Sequence, residues 1–323
     1  MNLIRRLISM TLLTPTGAPV RIALIGECMI ELQQHPDGQL RQSFGGDTLN
    51  TAVYLRRLVA ASWQVSYVTA LGDDSFSDAM CASWADEGID LSLVQRLSGR
   101  LPGLYCIQTD AQGERRFLYW RNEAAVRECF TNARAQQALV ALDDFSVFYL
   151  SGITLAVLGE AGLDRLLPRL IAARARGAKL VFDNNYRPRL WHDRQQAADT
   201  YQRLLPHLDL ALLTLDDEQA LFEEIELESI LNRYQQLGVN EVVIKRGAQS
   251  CLVHHEGALY EVAATNVPRV VDTTAAGDSF SAGYLSSRLQ GGTPQQAAAE
   301  GHRLAGRVIQ HPGALIVREL MPG

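Results

Sequence analysis

Along most of this chain the apolar positions fall into a repeating beat. A short apolar run ends in a glycine or a polar residue, and a longer stretch with one apolar face follows. Arg21 to Gly26 is the first such run, read as a buried parallel strand. Glu27 to Leu32 continues with partial alternation, His35-Pro36-Asp37-Gly38 signals a turn, and Gln39 to Phe44 returns as a strand. Gly45-Gly46-Asp47 then opens a helix over Thr48 to Val59. Gln64 to Ala70 is a strand and Ser75 to Glu87 a helix, while Leu104 to Thr109 and Arg115 to Arg121 flank Asp110-Ala111-Gln112-Gly113 as a hairpin. The beat resumes with a helix at Ala133 to Leu142 and a strand at Val147 to Leu150 that ends in Ser151-Gly152. A helix over Leu163 to Arg176 stops at Gly177. Strands follow at Lys179 to Phe182 and Leu208 to Leu213, the latter ending at Thr214 before an acidic helix start. Glu241 to Lys245, Cys251 to His255 and Ala258 to Ala263 are further strands, and helices Asp278 to Leu289 and Pro294 to Ile309 close the chain.

Repeated strand–helix units predict an α/β fold with a central, mostly parallel sheet covered on both faces. The hairpins at about 28–44 and 103–122 break the rhythm and are expected to form a small β-sheet lid over the mouth of the main sheet. In such sheets ligands bind at the carboxyl ends of the strands. Here those ends are Gly26-Glu27, Gly152, Asp183-Asn184-Asn185, Thr214 and Lys245-Arg246-Gly247.

With 323 residues, 47% of them hydrophobic, the chain can bury a large core as one unit over 21–323. A net charge of -6 and the absence of a basic run argue against a nucleic-acid partner; lysine occurs only at Lys179 and Lys245. Five scattered cysteines without CxxC spacing point to reduced thiols in a cytoplasmic setting rather than to disulfides or zinc. Residues 1–20 are expected to be a disordered leader. Arg5 and Arg6 precede only a short apolar run, and Thr14 to Pro19 makes neither a cleavage site nor a membrane span. No later stretch suits a membrane.

The most informative stretch is Asp272-Thr273-Thr274-Ala275-Ala276-Gly277-Asp278, small residues and an acid at the start of a helix. Small side chains admit a ligand to the backbone, and the amide end of a helix suits a phosphate. An isolated Asp there is most often a cap. Beside an anion cradle it also suits phosphoryl transfer, where a carboxylate takes the proton of the attacking hydroxyl. Four other segments admit two readings each. Gly45-Gly46-Asp47-Thr48-Leu49-Asn50 is a turn plus cap or a ligand loop. Tyr119 and Arg121 share a strand face, solvated or lidding an anionic sugar acid. Asp183 to Arg187 is a polar loop, or it brings an arginine to a carboxylate. Lys245 to Ser250 is a hairpin or the wall of a nucleotide pocket. Neither a P-loop nor a GxGxxG follows a strand.

Together these segments resemble the PfkB family of carbohydrate kinases, with its ribokinase-like three-layer α/β/α fold. The GG-x-x-x-N pattern at Gly45 to Asn50 and the DTxGAGD-type stretch at Asp272 to Asp278 carry the likeness, which spans about 21–320. Gly26 to Leu32, Leu101 to Tyr105, Tyr119 to Glu123 and Asp183 to Arg187 are most similar to members acting on a 2-keto-3-deoxy sugar acid. The resemblance implies ATP-dependent phosphorylation of that acid's terminal hydroxyl, with Asp278 as base and Ala275, Ala276 and Gly277 as anion-hole amides. Gly46, Asp47, Thr48, Leu49, Asn50, Tyr105, Tyr119, Arg121 and Arg187 would contact the sugar acid. Asn185, Thr214, Lys245, Arg246, Gly247, Ala248, Ser250 and His302 would border the nucleotide. Mg2+ would accompany ATP, and the family's N-x-x-E, here Thr214-Leu215-Asp216-Asp217, leaves Asp217 to reach it through water. The resemblance also allows a monovalent cation by Asp272 and a homodimer or larger homo-oligomer through the lid strands. Ala275 stands where the family has glycine. A kinase for a neutral sugar or nucleoside, and a non-catalytic sugar-acid binder of the same fold, remain as alternatives.

Overall fold

The computed structural model describes residues 20–34, 38–109 and 115–322, so the leader (apart from Val20) and the tips of both hairpins lie outside the described residues. In chain order the elements begin with β1 (Arg21–Ile25), β2 (Met29–Gln34), β3 (Leu40–Gly45), α1 (Asp47–Leu58), β4 (Gln64–Leu71), α2 (Ser75–Asp86) and β5 (Val94–Arg96). Next come β6 (Leu104–Thr109), β7 (Arg115–Trp120), α3 (Ala135–Ala141), β8 (Val147–Ser151), α4 (Gly152–Ala175), β9 (Lys179–Asp183) and α5 (Arg194–Gln202). The chain continues with β10 (Leu210–Thr214), α6 (Leu215–Phe222), α7 (Leu227–Gln236), β11 (Glu241–Lys245), β12 (Cys251–His255) and β13 (Ala258–Val262). It ends with α8 (Ala276–Leu289) and α9 (Pro294–Val308).

Two sheets result. The larger has nine strands in the order β13-β12-β11-β10-β9-β8-β1-β4-β5. It is parallel from β11 to β5, and β12 and β13 add an antiparallel edge. Alternate residues of β1 face opposite ways, as strand geometry requires. Ile22 and Leu24 pack into one hydrophobic core with Tyr67, Leu212 and Phe280, whereas Ala23 and Ile25 pack into another with Phe148, Leu180 and Phe182. Burial on both faces explains why the strands read as apolar runs. The second sheet has four strands in the order β3-β2-β6-β7; its two hairpins join through parallel β2 and β6. No helix among the described residues is long and apolar enough to cross a membrane.

Three departures from the sequence reading have local causes. Helix α4 begins at Gly152 rather than Leu163, because Ser151 and Thr154 form a reciprocal capping box. Gly159, at φ 63°, then breaks the helical path and hides its first turns from a periodicity argument. Helix α8 starts at Ala276, so Asp278 lies inside its first turn and is not its cap. β5 and α5 are short or weakly periodic and emerge only in the packed structure, whereas α7 has a clear apolar face, Ile230, Leu231 and Tyr234, that the sequence reading did not use.

Candidate active site

The carboxyl ends of β1, β8, β9, β10 and β11 face the amino ends of α1 and α8, and the polar residues converge there. Gly46 stands just before α1. A Cβ on it would come within 2.2 Å of the Glu27 carbonyl, so glycine is required by close packing. Its φ of -174° is ordinary extended backbone. This contact sets Asp47 and Asn50 into the cleft. Asn50 Nδ2 donates to Asp278 Oδ2 at 2.8 Å, bridging α1 to α8 across 228 residues of sequence. Asn50 Oδ1 is buried without a partner, an acceptor left over for a ligand hydroxyl.

Asp47 accepts from Asn185 Nδ2 at 2.6 Å. Asn185, read from sequence as a nucleotide neighbour, therefore belongs to the α1 side of the cleft. Thr48 and Leu49 are corrected as well. The Thr48 hydroxyl meets Tyr67 at 3.0 Å and Leu49 packs into the core, so neither side chain lines the cleft. Packing on the inner face of α1 claimed them.

At the start of α8, Ala275 adopts φ 60° and ψ 18°, the left-handed region. The turn thus keeps a conformation that favours glycine even though alanine occupies it. Of the three amides expected to form the cradle, that of Ala276 donates to Thr273 O at 3.1 Å and is spent. Those of Ala275 and Gly277, with that of Asp278, have no acceptor among the described residues. Asp272 shapes the loop by accepting from the Thr274 amide and hydroxyl on Oδ1 and from the Gly313 amide on Oδ2. Replacing Ala275 by glycine relieves about 1 kcal/mol of left-handed strain, partly offset by a freer unfolded chain. The expected net gain is roughly 0.5 kcal/mol, read as a higher denaturant midpoint at unchanged slope.

Burial is the main force on the Asp278 carboxyl. With the neighbouring charges of Asp47 and Asp183, and against the Asn50 hydrogen bond and Lys245, it pushes the group up to about 7. Burial likewise raises Asp47. A carboxylate tuned to neutral pH is matched to general-base work. Lys245 Nζ lies 2.7 Å from Asp183 Oδ2, and 3.6 Å from where a Cβ on Gly277 would stand, so a cation borders the open amides.

Both arginines expected to grip a carboxylate already have acidic partners. Arg121 is buried against Glu27, which is itself 2% exposed. Arg187, half exposed, reaches the two oxygens of Asp217 at 3.2 and 3.3 Å. A neutral ligand would therefore leave neither arginine without an anionic partner. Tyr105 and Tyr119 lie on one face of the lid with tilted rings whose centroids are 5.8 Å apart, and the Tyr105 hydroxyl donates to Glu31.

On the far side, Thr214 ends β10, with its amide and carbonyl both held by the Asn184 side chain. Arg246 turns back onto Ser250 and Glu261, leaving Gly247 and Ala248 exposed at the tip of the turn. His302 is buried on α9, its ring 5.0 Å from that of Phe280. Glu27, Glu31 and Asp183 were given no role from sequence. For Glu27 and Asp183 the available signal was their place at or just beyond strand ends on the ligand edge, whereas Glu31 lies within β2 of the lid.

Among the described residues no group of three or more His, Cys, Asp or Glu side chains is set to hold a metal ion. One half-buried carboxylate, Asp217, faces this edge, a donor set that fits magnesium carried mainly by substrate phosphates.

Residues 20–319 match the model of the pfkB family of carbohydrate kinases. The chain is 55% identical over 305 residues to a 2-dehydro-3-deoxygluconokinase of Dickeya dadantii, covering 93% of this chain and 98% of that one. It is 51% identical over 306 residues to the 2-dehydro-3-deoxygluconokinase of Escherichia coli K12, covering 94% and 99%. Among solved structures, a PfkB protein from Polaromonas sp. JS666 superposes with a TM-score of 0.81 at 26% identity, covering 94% and 99%.

Proposed function

The chain belongs to the pfkB family of carbohydrate kinases, and from that premise we propose that it transfers the γ-phosphoryl group of ATP to the terminal hydroxyl of 2-dehydro-3-deoxygluconate, giving the 6-phosphate. One observation carries the chemistry. A carboxyl raised to about 7, oriented by Asn50, stands beside amides that have no acceptor among the described residues. The names of relatives 51% and 55% identical support the substrate.

In this reading the amides of Ala275 and Gly277 receive the phosphate, and Asp278 takes the proton from the attacking hydroxyl as the new P–O bond forms and ADP departs. Magnesium, when bound, neutralises phosphate charge, and Asp217 would hold it through water. Thr214, Lys245 and the Arg246-to-Ser250 turn border the nucleotide, with His302 behind. A monovalent cation by Asp272 would share a carboxylate whose two oxygens also order the loop by accepting protein hydrogen bonds. Gly46, Asp47 and Asn50 hold the sugar hydroxyls beneath the Tyr105–Tyr119 face of the lid, whose closure excludes water. The substrate carboxylate meets Arg187, which is more open than Arg121 and exchanges Asp217 for it.

Arg187→Ala is expected to raise KM for the sugar acid by about 10-fold, with kcat changed far less. A coupled ADP-release assay over 2-dehydro-3-deoxygluconate, its galactonate epimer, gluconate, fructose and ribose tests the substrate. The expected kcat/KM is highest for the 2-dehydro-3-deoxy acids. Faster turnover of fructose or ribose would instead support a neutral-sugar kinase, a reading favoured by the internal partners of both arginines. The exposed edge strands β3 and β7, with Leu40 and Trp120 open to solvent, also support pairing of lids between two copies. Sedimentation should then report a dimer.

A further inference from the structure

Directly below the cradle, one buried carboxylate oxygen gathers three donors from three parts of the fold. Asp183 Oδ2, at the end of β9, accepts from Lys245 Nζ at 2.7 Å, from Ser281 Oγ at 2.9 Å and from the Tyr149 hydroxyl at 3.3 Å. Lys245 also reaches Ser281 Oγ at 3.3 Å. All four residues are buried. Ser281 lies three residues after Asp278 in α8, so the two side chains share a helix face. Lys245 is the cation nearest Gly277.

We propose that Asp183 is a positioning residue for the transfer: its single oxygen holds Lys245 beside the cradle and Ser281 on the Asp278 helix, so that cation, base and open amides keep a fixed spacing. The proposal rests on the kinase reading above. It goes further by assigning a role to a residue whose Oδ2 is taken up by three protein donors.

The charge of Asp183 also acts on the base. The charged and titratable groups facing Asp278 are Asp47 from α1, Asp183 from β9, Lys245 from β11, Tyr54 from α1 and Tyr149 from β8. Asp47 and Asp183 both disfavour a second negative charge, and Lys245 favours it. Neutralising Asp183 removes one repulsion and frees the charge of Lys245, and both changes make Asp278 easier to ionise.

The test is the pH profile of kcat/KM for the full chain with 2-dehydro-3-deoxygluconate and MgATP, comparing wild type with Asp183→Asn. The acid limb of the variant should move down by about one pH unit, and kcat should fall at least 10-fold. A merely structural role would lower activity without moving the limb. A folded Asp183→Asn protein with an unmoved limb overturns the proposal. If that variant does not fold, Ser281→Ala decides. It removes one donor without changing charge, and should lower kcat several-fold at unchanged KM for both substrates. Wild-type kcat in Ser281→Ala overturns the proposal. Turnover by the wild-type protein reports separately on the kinase reading, so failure of one is distinguishable from failure of the other.

Discussion

Asp278→Asn should lower kcat by about 10²–10⁴-fold, the usual contribution of a general base, and should leave the KM for ATP nearly unchanged. The amide keeps the shape of the carboxylate, and Asn50 Nδ2 can still donate to its oxygen. What it lacks is the ability to accept the hydroxyl proton. The same substitution should make the empty protein more stable at pH 8. The carboxyl is raised from 3.8 to about 7 in the folded chain. Between those values the native state holds a proton that the unfolded state has lost, so stability falls as pH rises through that window. Below about pH 4 the penalty is absent; above about 7 it is complete. A thermal melt should therefore show Asp278→Asn above wild type at pH 8 and converging with it toward pH 4. An inactive variant that is also less stable at pH 8 would mean that Asp278 is chiefly a structural partner of Asn50.

The second large effect concerns Arg121. The pair it makes with Glu27 ties the end of β7, in the lid, to the loop leaving β1, in the main sheet. Burial raises the Glu27 carboxyl despite the arginine beside it. Arg121→Leu would strand that carboxylate in a dry site, at a cost of about 3–5 kcal/mol. Against a typical total of roughly 5–15 kcal/mol this is a large share. It would appear as a lower denaturant midpoint and poor yield. Adding Glu27→Met to Arg121→Leu should recover most of the loss, because an apolar pair has no charge to strand. If Arg121→Leu alone is as stable as wild type, the pair is not a closed ion pair in solution, and Arg121 regains its place as a free carboxylate grip.

Strand–helix alternation was legible because burial on both sheet faces leaves continuous apolar runs such as Ile22 to Ile25. The lid hairpins were legible from their turn residues. The turn into α8 could be read because Ala275 to Asp278 are local in sequence and chemically unusual. The pairs that decide the electrostatics could not be read in this way. Glu27 and Arg121 are 94 residues apart, Asp183 and Lys245 62, and Asn50 and Asp278 228. No period or spacing connects residues that meet only because the fold brings strand ends, helix starts and the lid together. Thr48 and Leu49 show the opposite error. They sit inside a motif, yet the helix turns their side chains into the core.

Deprotonation of the terminal hydroxyl of 2-dehydro-3-deoxygluconate by Asp278 can be followed by 31P and 13C NMR of the reaction with wild type and Asp278→Asn side by side. Wild type should convert ATP to ADP with the phosphate appearing on C6, and the variant should produce almost none. Phosphate on another carbon, or product formed by Asp278→Asn at the wild-type rate, would contradict it.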